Sequence, residues 1–348
     1  MFEPKYTISS QLLANIKKIT EIITDLNNRN FSDVVLAEFE RRAREISAFS
    51  STSIEGNPLP LTDVKRIIKN APKHVRDSER EVLNYNKALI TLSSLSKDKE
   101  HSFDLDLILE IQKNITQDLI EKHRCGRLRQ EAVFVNDPRA RQVVYLPPEQ
   151  LDVLELMNDL LSYININKDI IDPLILAGLF HKQFVIIHPF IDGNGRTARL
   201  ATKVLLAKMG LNTFNLFSFE NYYNNNVSKY FQEVGVMGNY YDIKDQFDFT
   251  SWLEYFTDGI IDELLRVSKE LEKVVISPDT AIKNYHKKII KYIENNGYVS
   301  DRDYAKLTTR AKPTRNLDFR KLISLGIIEK FGKGRATYYK MKITYIKD

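Results

Sequence analysis

The feature that most limits how this chain can fold is a break between two helical stretches. Pro173 to Phe184 reads as helix, and Leu200, Val204 and Leu205 mark a second helix that restarts near Asn194. Between them runs His188-Pro-Phe-Ile-Asp-Gly-Asn-Gly-Arg-Thr-Ala-Arg199. A glycine-flanked loop entering a helix exposes backbone N–H groups that have no partner inside the helix. The helix dipole adds partial positive charge at the same place, which makes an anion site. Gly193 and Gly195 let the backbone approach a phosphate without side-chain hindrance. Arg196 and Arg199 lie three apart and can project toward the same anion. Asp192 suits a divalent cation that bridges it to phosphates, and His188 is placed to take a proton from an attacking hydroxyl. The Gly-x-x-x-x-Gly-Lys-Ser/Thr pattern is absent, so this is not a Walker A loop.

The rest of the chain reads mostly as helix. Residues 11–50 are helical, and Gly56, Pro58 and Pro60 stop that pattern. Thr62 is expected to cap the next helix, and further helices are expected over 78–95, 104–120, 149–164, 218–234 and 250–275. Ala132–Asn136 and Gln142–Leu146 are β-prone runs around a turn-like Asp137-Pro-Arg-Ala-Arg, which predicts a hairpin. Ser277-Pro-Asp reads as a linker. The single cysteine, Cys125, excludes a disulfide framework and a Cys-rich zinc site. No apolar run nears the ~18 residues needed to span a bilayer, and no signal peptide is visible, so a soluble cytoplasmic protein without a membrane partner is expected.

Charge separates the two ends. Residues 280–348 hold 17 of the 51 Lys and Arg and 6 of the 46 Asp and Glu, a net of +11, which leaves −6 for residues 1–279. The basic stretch reads helix, helix, helix, hairpin. The helices are expected over His286–Asn295, Arg302–Thr308 and after Ala311-Lys-Pro-Thr-Arg, and the hairpin turns at Gly332-Lys-Gly. This order resembles a winged helix. Lys312, Arg315, Arg320 and Lys321 around its third helix, with Lys333 and Arg335 on the wing, are candidate DNA contacts; protein docking or dimerisation is the alternative.

The loop matches the signature of the Fic family, His-Pro-Phe-x-x-Gly-Asn-Gly-Arg-x-x-Arg, at every fixed position. The resemblance implies a mainly α fold: a Fic helical core with a β-hairpin flap, plus a small C-terminal winged-helix (α+β) domain. It divides the chain into an N-terminal helical region with an inhibitory helix (1–100), a catalytic core (101–276) and the winged helix (280–348). It implies a protein adenylyltransferase that moves AMP from ATP to a Ser, Thr or Tyr hydroxyl of a target protein. In that reading His188 is the general base, Asp192 holds Mg²⁺, and Gly193, Asn194 and Gly195 cradle the phosphates. Arg196 and Arg199 bind the β/γ end, and Phe190 anchors the loop. Ser51-Thr-Ser-Ile-Glu55-Gly56-Asn57 resembles the family's inhibitory element, in which Glu55 pairs with Arg199 and displaces the γ-phosphate. In some relatives the same glutamate positions a water that removes AMP. The flap, residues 132–146, holds the target by adding a strand, and Gly126-x-Leu-Arg before it also resembles the family. Tyr230, Phe231 and Asn239 are the candidates for the adenine side. Two other readings stay open: a nucleotide-sensing DNA-binding regulator, and Fic-fold transfer of another nucleotide. A homodimer is a further expectation.

Overall fold

The computed structural model describes residues 2–28, 33–72, 74–95, 103–137, 142–208, 218–276, 283–324 and 327–342. The chain divides into two compact units, residues 1–29 with 42–267 and residues 30–41 with 268–348. The mainly helical expectation holds: fifteen α-helices stand against six short strands among the described residues.

In the first unit, α1 (Ser10–Asn28) buries Leu12, Ile19, Ile22, Ile23 and Leu26, an apolar stripe along one face. Helix α2 (Asp33–Ile54) stops at Gly56, whose φ of 94° suits glycine. There the Gly56 N–H donates to Ser53 O at 2.9 Å and the Asn57 N–H to Thr52 O at 3.1 Å, a Schellman cap. Helix α3 (Leu61–Asn70) begins after Pro60, so Thr62 lies inside its first turn and is not the cap expected from the sequence. Helices α4 (Asp77–Leu95) and α5 (Leu105–Thr116) follow. Helix α6 (Val153–Asn167) starts four residues later than expected.

Helix α7 (Pro173–Ile187) is the centre of the unit and is buried on nearly every face. Asp172 caps it by accepting the Leu174 N–H at 2.8 Å, and Pro173 opens it where a missing N–H costs nothing. It packs against α6, α8 (Asn194–Lys208) and α10 (Val227–Val234). Gly178 lets α12 (Thr250–Ile276) come close: a Cβ there would meet Leu253 Cδ2 at 2.5 Å. The Trp252 indole N–H donates to Gly178 O at 2.8 Å across that contact. The stretch expected as one helix over 218–234 is two, α9 (Phe219–Asn225) and α10, because Asn226 breaks the chain and caps α10 by accepting the Lys229 N–H at 3.1 Å.

The expected hairpin is present. Strands β1 (Val135–Asp137) and β2 (Gln142–Leu146) pair antiparallel, with Val135 opposite Tyr145 and a bulge before Asn136; residues 138–141 of its turn lie outside the described residues. A third strand not foreseen, β3 (Gly238–Asn239), pairs parallel with β2, and α11 (Tyr240–Ile243) follows it.

The second unit contains α13 (Asn284–Asn296), β4 (Val299–Ser300), α14 (Asp301–Leu307), α15 (Lys312–Ser324), β5 (Ile328–Phe331) and β6 (Tyr338–Met341). The strands form an antiparallel sheet in the order β4-β6-β5. Ile289, Ile293, Tyr304, Phe319, Leu322 and Tyr339 make its core, with Phe319 stacked on Tyr339. Ser300 and Asp303 form a capping box on α14. Arg315, read from the sequence as a DNA contact, is engaged internally: its fork takes both oxygens of Asp301 at 2.8 and 2.9 Å and ties α15 to α14. Lys312, Arg320 and Lys333 are exposed and Lys321 half-buried, while the Arg335 side chain lies outside the described residues.

Candidate active site

The path of the chain through residues 188–199 follows from two local closures. Helix α7 ends because His188 turns into the left-handed region, φ 51°, and its N–H closes on Phe184 O at 3.0 Å. The loop is then held by Asn194, whose Oδ1 accepts the Phe190 N–H at 2.9 Å and whose Nδ2 donates to Phe190 O at 2.8 Å. Phe190 is fully buried beside Phe184. Asn194 therefore closes the loop with its side chain while it opens α8. Gly193, φ 84°, rests on α5: a Cβ there would come within 3.0 Å of Thr116 Cγ2. Gln112 braces the same turn, donating to Asp192 O at 3.1 Å and accepting the Gly126 N–H.

His188 is half-buried and its Nδ1 lies 3.3 Å from Val185 O, so that nitrogen carries the hydrogen and Nε2 is left to accept. Burial pulls the imidazole down to about 4, with Arg129 adding to the effect and the Val185 carbonyl, Glu55 and Asp192 opposing it. The ring is neutral at pH 7 and can take a proton.

Arg199 is fully buried. Its Nε donates to Ser51 Oγ at 2.8 Å, and Nη2 donates to Ser51 O at 2.9 Å and Glu55 Oε1 at 2.7 Å. Burial works against its charge most strongly, but the Glu55 carboxylate and the Tyr230 and Tyr85 hydroxyls together outweigh it, and the guanidinium is held above its ordinary value. The carboxylate also lies over the start of α8, where a Cβ on Gly195 would collide with Glu55 Oε1. An anion from this chain thus stands where the first turn of α8 attracts one. Arg196 is gripped as well: Nη2 takes both oxygens of Asp192, at 3.0 and 2.8 Å, and Nη1 pairs with Glu81 Oε1 at 2.6 Å. Glu81 Oε2 in turn accepts from Asn57 Nδ2 at 2.6 Å. Glu81 was invisible to sequence reasoning, since a lone glutamate on α4 carries no signal of its partner on α8.

Residues 102–206 match the Fic/DOC family. The chain carries a Fic domain. The protein adenylyltransferase Fic of Nematostella vectensis is 34% identical over 169 residues, which is 47% of this chain and 37% of that protein. The protein adenylyltransferase fic-1 of Caenorhabditis elegans is 28% identical over 203 residues, 56% of this chain and 38% of that one. The chain spans about two fifths of the length of the curated relatives it matches. The crystal structure of a Fic family protein from Desulfovibrio desulfuricans G20 shares the fold, with a TM-score of 0.65, 21% identity and 98% of each chain covered. A Fic domain protein from Bacteroides thetaiotaomicron superposes with a TM-score of 0.57 at 22% identity, over 73% of this chain and 96% of that one.

Glu55 and Glu81 reach the Fic domain from helices outside the matched residues. Of the adenine-side candidates, Tyr230 offers no face to a base: it is 1% exposed, stacked on Tyr223, and its hydroxyl lies 3.1 Å from His181 Nε2 and 3.4 Å from Arg199 Nη1. It backs Arg199 instead. The Thr202 hydroxyl donates to Ala198 O at 2.7 Å, so His181 Nδ1 must donate to Thr202 and its Nε2 accept from Tyr230. Burial keeps His181 neutral, well below its ordinary pKa. Phe231 is exposed. Asn239 sits in β3 and uses its Oδ1 to accept the Tyr241 N–H at 3.0 Å. No group of three or more His, Cys, Asp or Glu is gathered for a metal among the described residues. Asp192 is the one carboxylate of the loop, and its side chain is 43% exposed. That donor set suits Mg²⁺, which is commonly held by one or two carboxylates together with substrate phosphates. No helix of the described residues is long and apolar enough to cross a membrane.

Proposed function

We propose that this chain transfers AMP from ATP to a hydroxyl of a protein target and that Glu55 restrains it. The observation that carries the reading is the meeting of three parts on one loop: a neutral imidazole with a free Nε2, the N-terminus of α8, and two buried arginines held by this chain's own carboxylates. Phosphates arriving at α8 would take the place of Glu55 on Arg199, and their charge would raise the His188 pKa toward neutrality. Nε2 then accepts the hydroxyl proton as the oxygen attacks the α-phosphorus. The bond to the bridging oxygen breaks, and pyrophosphate leaves against Arg196 and Arg199. Asp192 would hold Mg²⁺, which when bound neutralises phosphate charge. The hairpin supports a target segment as an added strand. The names of the curated relatives support the same activity.

The second unit, with its three helices, three-stranded sheet and basic charge, we read as a winged helix whose proposed partner is DNA. Salt-sensitive binding of duplex DNA by residues 280–348 checks that assignment.

The main test is label transfer from α-³²P-ATP with Mg²⁺ into cell lysate. Label should rise with Glu55→Gly and vanish with Glu55→Gly/His188→Ala. Robust transfer by the double variant would sink the base assignment.

A further inference from the structure

The hairpin and the His188 loop are joined by one buried cation. Arg129 is 3% exposed. Its Nε donates to His188 O at 2.8 Å, and its own backbone N–H donates to Pro189 O at 2.9 Å. Its two terminal nitrogens donate to Glu131 O, ahead of β1, at 3.1 Å and to Pro148 O, just past β2, at 2.5 Å. From β2 the buried Tyr145 adds a hydroxyl bond to Ile186 O at 2.9 Å. A helix C-terminus leaves its last carbonyls without partners. Here the carbonyl of Ile186 in the last turn of α7, and those of His188 and Pro189 just beyond it, are taken by residues on or beside the hairpin.

Among the described residues no carboxylate pairs with Arg129. Burial draws its pKa below the ordinary value, so the fold tolerates an uncompensated cation there. The guanidinium reaches three carbonyls from three separate nitrogens held in one plane, which a single ammonium nitrogen does not offer. His188 also needs holding, because a non-glycine residue in the left-handed region, φ 51°, carries backbone strain.

We propose that Arg129 is a positioning residue: it locks both ends of the hairpin to the His188 backbone, so that the edge receiving the target strand and the imidazole accepting the hydroxyl proton keep one geometry. The proposal rests on the reading of His188 as the base. Arg129 touches no reacting atom; it acts through the backbone of His188. It deepens the role of the Gly-x-Leu-Arg element, where Gly126 allows the close pass over Lys113 and Leu109 and Arg129 makes the lock.

Arg129→Lys keeps the charge and removes the fork. In the full-length Glu55→Gly chain, with α-³²P-ATP and cell lysate as the source of target, it should slow transfer by about a hundredfold, the effect of a ~1 Å misplacement. The ATP concentration at half-maximal rate should move less than twofold, whereas general loss of fold would move both. A second readout needs no activity. His188 is one of six histidines, and its ring proton resonances, assigned with His188→Gln, should shift in Arg129→Lys. Amide exchange at Val144 and Tyr145 should quicken with them. Unchanged ring resonances and exchange overturn the lock whether or not label is transferred. An unchanged rate in an active parent overturns it too. If the parent transfers no label, the AMP-transfer reading fails by itself, and the ring resonances still decide the lock.

Discussion

Replacing Glu55 by Gln keeps its size and removes its charge, and the structure sets the scale of the result. Two unit charges about 4 Å apart attract by about 4 kcal/mol at an effective dielectric of 20. The Glu55 side chain is 30% exposed, so water returns a good part of that, and Arg199 keeps Ser51 Oγ, Ser51 O and the Tyr230 hydroxyl as acceptors. A net loss of about 1–2 kcal/mol remains, which lowers the melting temperature by about 2–8 °C for a unit of this size. The same energy is what ATP must overcome to take Arg199 from Glu55. Nucleotide should therefore bind the variant about 5–30-fold more tightly. Saturation at a hundred times Kd then adds about 2.7 kcal/mol. Melting followed with and without Mg-ATP, alongside calorimetric titration of ATP, gives both quantities. The variant should melt below the wild type without nucleotide and draw level with it as ATP saturates both. Equal ATP affinities within twofold, with parallel melts, would refute the idea that Glu55 holds Arg199 against the nucleotide.

Further outcomes follow from other contacts. Glu81→Gln should tighten ATP a few-fold by loosening Arg196, less than Glu55→Gln because Asp192 still holds that arginine, and AMP binding should not change; calorimetry with both nucleotides checks it. His188 titrates near 4, below its ordinary 6.5, so as pH falls the unfolded chain binds that proton first. Its contribution to stability is complete above about pH 6.5 and is lost toward pH 4, and His188→Gln should flatten that part of the stability curve. In the active Glu55→Gly chain the acidic limb of kcat/KM should fall near pH 4, and a limb near 6.5 would contradict the burial. Gly178→Ala drives a methyl into Leu253 and should lower stability by about 1–3 kcal/mol, seen as an earlier thermal transition without any change in nucleotide affinity.

What could be read before the structure was local. The helices announced themselves by apolar spacing, and the stop at Gly56 by a residue that tolerates φ of 94°. The loop at 188–199 carries its determinants side by side, so its position at a helix entrance was legible. Boundaries were less so: Pro60 displaced Thr62 as the cap, and Asn226 split one expected helix into two. Tyr230 shows why chemistry alone misplaces a residue. A tyrosine that stacks on a base and one that braces an arginine have the same side chain, and only burial separates them. Arg315 makes the same point in the second unit, where Asp301 takes the fork that DNA was expected to meet.

The sequence by itself determined that a loop with an anion cradle, a histidine and two arginines would enter a helix, and that a mainly α chain would carry one hairpin beside it. Only the tertiary structure decided which carboxylates hold those arginines, that Glu55 stands over Gly195, and that Arg129 joins the hairpin to His188. The physical reason is range. Backbone conformation answers to neighbours within a turn or two, whereas the state of a buried charge is set by groups tens to more than a hundred residues away that packing alone brings within hydrogen-bond reach.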